Sequence, residues 1–460
     1  MSAMGFQSPT RRDFLRASLL AGGGLSLADV LRLQADEGRS ADDTSVIQIW
    51  LGGGPSQFET FDPKPGESAE IRGPYQPVQT KLPGLIFCEK MARTAQVVDR
   101  AAIIRTVTHS TNGHFVGAHW LSTGYQSPNG RPSHPSSGSL AARFRGPVQP
   151  GLPAYVRLTE EFTRNPTIAG VMGPGHLGSA FGGYVLRQDP FHSDYDNRKV
   201  LDSTANLKLA DGVTLDRVDD RKALLADLDR LPRSVDNAGA LDGLDRFQRT
   251  ALEMVTTGAA RRAFDLTLEP RATRERYGLH RWGQMGLLAR RLVEAGVTFV
   301  TMNTAPDSLC WDWHRNIVND DRPADGSDGP TRGMDVSGPP LDQMLTALIT
   351  DLYERGLDRK VLLLVWGEFG RTPRVNKTGG RDHWGALMSI LMAGGGLRVG
   401  QVIGESNAKG EAPRTRPVAP NDVLATVYRH LGIDTGRHTL TREGRPVPVL
   451  PDGEPIRELI

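Results

Sequence analysis

Four clusters of polar residues carry the chemistry this chain offers. In Trp311-Asp312-Trp313-His314 a carboxylate and an imidazole stand two residues apart. On extended backbone such a pair projects to one side, where both groups can hold one hard or borderline divalent ion such as Zn²⁺, Mn²⁺ or Mg²⁺. The alternative is a loop aspartate bonded to its own backbone beside a surface histidine. In Gly367-Glu368-Phe369-Gly370-Arg371-Thr372-Pro373, Glu368 directly follows an apolar run. Its flanking glycines let a ligand approach the carboxylate closely. Arg371 can grip an oxyanion with two parallel donors, or Glu368 and Arg371 can form a buried ion pair. In Gly380-Arg381-Asp382-His383-Trp384, His383 is a candidate metal ligand or else a satisfied loop histidine. Arg381 offers a second guanidinium to charge developing on an ester oxygen. Finally, His109, His114 and His119 gather around Ser110, Thr111 and Asn112. His114 falls at a helix start; His119 lies on a helical face beside Trp120, where it can simply be packed. Asp312, His314, Glu368 and His383 are expected to converge on one site.

Most of these clusters follow a segment that reads as a strand, and ligands in open α/β sheets bind outside the carboxyl ends of strands. Residues 45–51 (SVIQIWL), 101–107, 154–158, 297–302, 361–366 (VLLLVW) and 387–392 are short and apolar, as buried strands are. Helical spacing marks 89–100, 115–121, 139–144, 221–231, 242–264, 281–295, 339–354 and 422–431, with Pro339 set in a first turn and Gly356 beyond the end. Strands alternating with helices indicate an α/β fold with a largely parallel central sheet and helices on both faces. Residues 166–195 are Gly-rich and irregular, an insertion draped over the sheet. The expected organisation is a leader and linker over 1–44, one domain over 45–435 with an irregular insertion at about 160–215, and a tail over 436–460.

Composition limits the function classes. A net charge of +2 over 460 residues, with arginines interleaved among aspartates, gives no electrostatic footprint for nucleic acid. Cys88 and Cys310 are the two cysteines, which excludes a disulfide framework and a cysteine-based zinc site. Whether they pair is not legible from sequence. At the N-terminus, Thr10-Arg11-Arg12-Asp13-Phe14-Leu15-Arg16 precedes a weakly apolar run over 17–33. That pattern reads as a twin-arginine export signal, and the run is too short and polar to span a bilayer stably. The expectation is a periplasmic or extracellular protein handled by the twin-arginine machinery. That route carries folded proteins, often with cofactor already loaded.

Gly52-Gly53-Gly54-Pro55-Ser56 with Thr60-Phe61-Asp62-Pro63-Lys64, together with the three later motifs, resembles the bacterial family known as domain of unknown function 1501. That family is similar to the alkaline phosphatase and sulfatase superfamily, and the resemblance runs from about Val46 to Leu431. It implies an alkaline phosphatase-like fold in which one or two divalent ions, of Zn²⁺, Mn²⁺, Mg²⁺ or Ca²⁺ type, activate a nucleophile against sulfate or phosphate esters. It implies Asp312 and His314 as one ligand pair and His383 as a later ligand. Glu368 falls where relatives carry an Asp, with Phe369 in place of the following His. Gly52-Gly53 replaces the Asp-Asp that sulfatases place after the first strand, and Asp62 is the available substitute. Counting back from Ser122-Thr123-Gly124 puts the nucleophile position on or near His114. No cysteine stands there, so formylglycine chemistry is not supported, and Ser110 and Thr111 are the nearest hydroxyls. The leading expectation is a metal-dependent hydrolase acting on an anionic ester or sulfated glycan. The alternative is a non-catalytic member that binds an anionic glycan or scaffolds an envelope assembly.

Overall fold

Side chains on a strand alternate between faces, and the strand Ser45–Trp50 (β1), buried throughout, shows what that demands here. Ile47 and Ile49 enter one apolar core, while Val46 and Trp50 enter a second. A strand with no polar face must be covered on both sides. The computed structural model describes residues 43–127, 133–158, 170–186, 253–254, 258–304, 310–318 and 333–460. The expected export signal, most of the expected insertion and the expected helix over 221–231 lie outside the described residues, as does much of the helix expected over 242–264.

The remaining strands of the main sheet are Ala101–Val107 (β2), Tyr155–Leu158 (β3), Tyr184–Val185 (β4), Phe299–Asn303 (β5), Val361–Trp366 (β6), Met388–Gly394 (β7) and Gln401–Ile403 (β8). The eight strands lie in the order β8-β2-β7-β6-β1-β5-β3-β4. β1 pairs in parallel with β5 and with β6, whereas β7 is antiparallel to both β6 and β2. The first core holds Met285, Leu288 and Leu292 of the helix Arg281–Ala295 and Leu341, Leu345 and Leu348 of the helix Met334–Glu354. The second holds Ala118 and Leu121 of the helix His114–Thr123 (α1), Leu140 of Ser137–Phe144, and Val423 and Val427 of Pro420–His430. The α/β class, the mostly parallel sheet and the two covered faces are as the sequence implies.

Three local departures have physical causes. β7 runs antiparallel because the chain between Trp366 and Met388 holds no helix to carry it back across the sheet. It instead folds a small ribbon, Gly370–Arg371 against His383–Trp384. The helix expected over 89–100 is broken into Glu89–Met91, Ala92–Ala95 and Val98–Arg100. At its middle piece the buried Asp342 carboxylate accepts the amides of Arg93 (2.9 Å) and Thr94 (2.7 Å), so a tertiary contact sets that start. The helix expected from Pro339 begins at Met334, with Pro339 and Pro340 inside it. The tail, too, is packed: Ile456 and Leu459 are buried in the second core.

Candidate metal centre

The ends of five adjacent strands supply the site. β1 runs into Gly52-Gly53-Gly54, and β6 into Glu368. β2 leads to the loop before α1, and β7 is entered from His383. The segment that resumes at Cys310, after β5, carries Asp312. Gly53 has a left-handed φ of 109°, and a Cβ there would fall 2.5 Å from the Asp312 amide nitrogen. The glycine loop therefore lets the Trp311-Asp312 backbone press against the end of β1.

His383 Nε2 lies 3.0 Å from Asp312 Oδ1, and His114 Nε2 lies 3.3 Å from Asp312 Oδ2. The three residues offer ligand atoms that all lie within 4.8 Å of one another. His314 stands on the solvent side of this trio, with Nε2 3.1 Å from Asp312 Oδ1 and 2.8 Å from His383 Nε2. All three imidazoles turn Nδ1 the other way, each to an acceptor. His114 Nδ1 meets Glu368 Oε1 at 2.7 Å, His314 Nδ1 meets Asp382 Oδ1 at 2.9 Å, and His383 Nδ1 meets the Asn112 carbonyl at 2.7 Å. An Nδ1–H donated outward leaves the Nε2 lone pair pointing inward, the arrangement that metal-binding histidines adopt.

The residues present fit a divalent ion. Ligands about 2.0–2.2 Å from a tetrahedral zinc stand roughly 3.3 Å from each other, close to the separations seen around Asp312. His114 Nε2 is buried without a hydrogen-bond partner, 3.3 Å from Asp312 Oδ2, and becomes a ligand atom when an ion takes the place of its proton. The charges are also poised for one. Burial disfavours an ionised Asp312, but Arg371 and the three imidazoles outweigh it and hold the carboxyl well below its ordinary range. Burial likewise works against a protonated His114, yet Asp312 and Glu368 raise it to about 9. Burial lowers His383, helped by the neighbouring positive groups, whereas the bond to Asp312 raises the more exposed His314.

The other expected residues are placed as follows. Glu368 sits behind His114, its Oε1 also accepting the Gly53 amide at 2.8 Å. Arg371 is fully buried and saturated: it bonds Asp312 Oδ1 at 2.5 Å and the carbonyls of Gly53, Gly54, Trp311 and Arg381. Arg381 is equally consumed by Glu59 and the carbonyls of Ile71, Thr372 and Pro373. Neither guanidinium stands free for an oxyanion: every one of their nitrogens is already bonded inside the protein. Asp62, the expected substitute ligand, is instead tied to Lys64, Arg105 and Ser406. Ser110 is exposed, and Thr111 Oγ1 accepts the Gly113 amide at 3.2 Å. His119 is packed, its Nδ1 on the Tyr125 carbonyl, and His109 holds the Glu368 carbonyl at 2.8 Å. Cys88 and Cys310 are both buried, and no disulfide joins them.

Two contributors escaped the sequence reading. Asp382 was visible as the neighbour of His383, but its reach to His314 depends on the ribbon. The Asn112 carbonyl carries no side-chain signal at all.

Residues 43–460 match the family described as "Protein of unknown function (DUF1501)". No curated protein matches the sequence. Solved structures to which the chain is similar include the phosphonate monoester hydrolase SpPMH from Silicibacter pomeroyi, at 12% identity over 90% of this chain and 76% of that one, TM-score 0.36. The PsFucS1 sulfatase from Pseudoalteromonas sp. matches at 12% identity over 88% and 70%, TM-score 0.34. The lipoteichoic acid synthase LtaP from Listeria monocytogenes matches at 11% over 86% and 74%, TM-score 0.34.

Proposed function

The chain belongs to the DUF1501 family, and we propose that it is an exported hydrolase of anionic esters, of the sulfate or phosphate class, that works with one divalent ion. The observation that carries this reading is the convergence of His114 Nε2 and His383 Nε2 on the Asp312 carboxylate, with both Nδ1 atoms given to fixed acceptors. Imidazoles with a carboxylate suit Zn²⁺ or Mn²⁺ better than Ca²⁺ or Mg²⁺, which prefer oxygen throughout. An ion held there supplies Lewis acidity toward an ester oxygen.

The chain's own residues do the positioning. Arg371 fixes Asp312, Asp382 fixes His314, and the Asn112 carbonyl fixes His383. Both nitrogens of His114 turn to carboxylates, so this imidazole serves as a ligand rather than a nucleophile. Thr111 lies one residue before Asn112, and its hydroxyl accepts from Gly113 while keeping its own proton to give up. Thr111 and the exposed Ser110 are the hydroxyls from which an attack on the ester would come. Export rests on the Arg11-Arg12 motif. Among the described residues no helix is long and apolar enough to cross a membrane.

A second reading is favoured by one observation: Arg371 and Arg381 are both consumed internally, leaving a centre of imidazoles and carboxylates that binds an anionic glycan without turning it over. The test is metal content of the exported protein, followed by assay on a panel of aryl sulfates and phosphates. The hydrolase reading expects turnover that a chelator removes, and expects Thr111→Ala to keep the metal but lose turnover. Metal present with no turnover on any ester supports the binding reading. A protein that takes up no divalent ion overturns both forms of the metal centre.

A further inference from the structure

The three imidazoles are not held alike. Asp382, behind His314, is 60% exposed, and the Asn112 carbonyl behind His383 belongs to an exposed residue. Glu368, behind His114, is only 2% exposed. It is also clamped from several sides: β6 ends two residues before it, its Oε1 accepts the Gly53 amide, and its carbonyl accepts His109 Nε2. A Cβ on Gly117 would stand 2.9 Å from that carbonyl, so α1 lies hard against it.

One feature of Glu368 has no structural use. Its Oε2 is buried with no hydrogen-bond partner, and a buried carboxylate oxygen left unpaired is costly. Arg371 pairs with Asp312 rather than with Glu368. The side chain that reaches Glu368 is the His114 ring, bonded at 2.7 Å. A cation on the far side of that ring, at Nε2, would compensate Glu368.

We propose that Glu368 is a positioning residue: it acts through His114, fixing the ring with Nε2 toward the ion and strengthening that nitrogen as a donor, and so sets how tightly the site holds a borderline divalent cation. This rests on the metal reading above but goes past it, since it takes Glu368 out of the ligand set and gives it a role through another residue. In a low-dielectric position a charge acts more strongly than the same charge in water. Glu368 therefore outranks Asp382, although both are carboxylates bonded to an imidazole that faces Asp312.

The experiment is Zn²⁺ affinity by chelator competition, and the visible absorption of the Co²⁺-loaded protein, for wild type, Glu368→Gln, Glu368→Asp and Asp382→Asn. Glutamine keeps the shape and an acceptor oxygen but removes the charge. Loss of a carboxylate partner behind a ligand histidine costs roughly 10–100-fold in metal affinity, and that is the loss expected for Glu368→Gln, with a shifted Co²⁺ spectrum. Asp382→Asn should lose only a few-fold, because its charge is solvated. Glu368→Asp, which keeps the charge, should recover part of the affinity even if the glutamine variant folds poorly. A Glu368→Gln protein with wild-type Zn²⁺ affinity and Co²⁺ spectrum overturns the proposal while leaving the metal centre standing. A wild type that binds neither ion overturns the centre itself, and this inference with it.

Discussion

His383 Nε2 lies 3.0 Å from Asp312 Oδ1, across 71 positions of sequence. The sheet makes this contact possible. β6, β1 and β5 are neighbours, and β7 returns beside β6 as an antiparallel strand. The ribbon entering β7 therefore opens over the same edge from which the Asp312 segment emerges. Asp312→Asn keeps the size of the side chain but removes the charge on which three imidazoles and Arg371 converge. Its metal content after export should fall to background, as should that of His383→Ala. A ligand bound only by the native state adds about 2.7 kcal/mol at a hundred times its Kd. Thermal melts with excess Zn²⁺ should show that gain in the wild type and lose it in both variants. A wild-type metal content in Asp312→Asn would contradict the assignment.

Arg371 is the electrostatic anchor of Asp312. It is fully buried and binds Asp312 together with four backbone carbonyls from three separate segments. Arg371→Met takes a donor from each of those carbonyls, with only the Trp313 amide left on Trp311, and leaves the Asp312 charge without its main partner. Removing one member of a buried ion pair typically costs about 3–5 kcal/mol, and a loss of that size is expected in urea denaturation of the metal-free protein. Adding Zn²⁺ should return part of it, because the ion takes over the compensation of Asp312. Equal losses with and without metal would separate Arg371 from the centre.

Much of the fold was legible because local pattern and tertiary environment agree. β6 is a continuous apolar run and β1 is one broken only by Gln48, and runs of that kind are buried on both faces. The direction of β7 was not legible. It depends on a missing crossover helix rather than on anything within Met388–Gly394. The site was legible as residue types at strand ends. Its division of labour was not, because Arg371 and Arg381 look alike as free cations in sequence. Only the packed protein shows their donors consumed by carbonyls, and backbone carbonyls leave no trace in a one-letter string. Asp62 misled for a related reason: its partner Lys64 is close in sequence, but Arg105 and Ser406 arrive from distant elements.

Export should depend on Arg11 and Arg12. The pair precedes Phe14-Leu15 and a weakly apolar run, the combination read by the twin-arginine route rather than inserted as a membrane anchor. Replacing both by lysine preserves charge and should leave the precursor in the cytoplasm. Cell fractionation with an antibody to the folded domain checks this, and unchanged export of the double variant would remove the assignment.

Stability should fall on mild acidification for a reason remote from the metal centre. His280 caps the helix Arg281–Ala295: its Nδ1 accepts the Gly283 amide at 3.1 Å, and its Nε2 is buried without a partner. Burial pushes the imidazole down to about 4, against an ordinary value near 6.5. Between those two values the unfolded chain binds a proton that the folded protein refuses. The sign follows from proton linkage: stability rises with pH wherever the unfolded state holds more protons. The contribution of His280 is thus fully present above about pH 6.5 and is lost as pH falls toward 4. A single such group gives a slope of up to about 1.4 kcal/mol per pH unit. His134, pushed down to about 4 mainly by burial and further by His119 and His176, adds in the same window. His280→Asn keeps a good capping side chain but cannot take up the proton. Urea denaturation of metal-free wild type and variant between pH 7.5 and 4.5 should show a shallower acid loss in the variant, with similar stability at pH 7.5. Parallel pH profiles for the two proteins would place the acid sensitivity elsewhere.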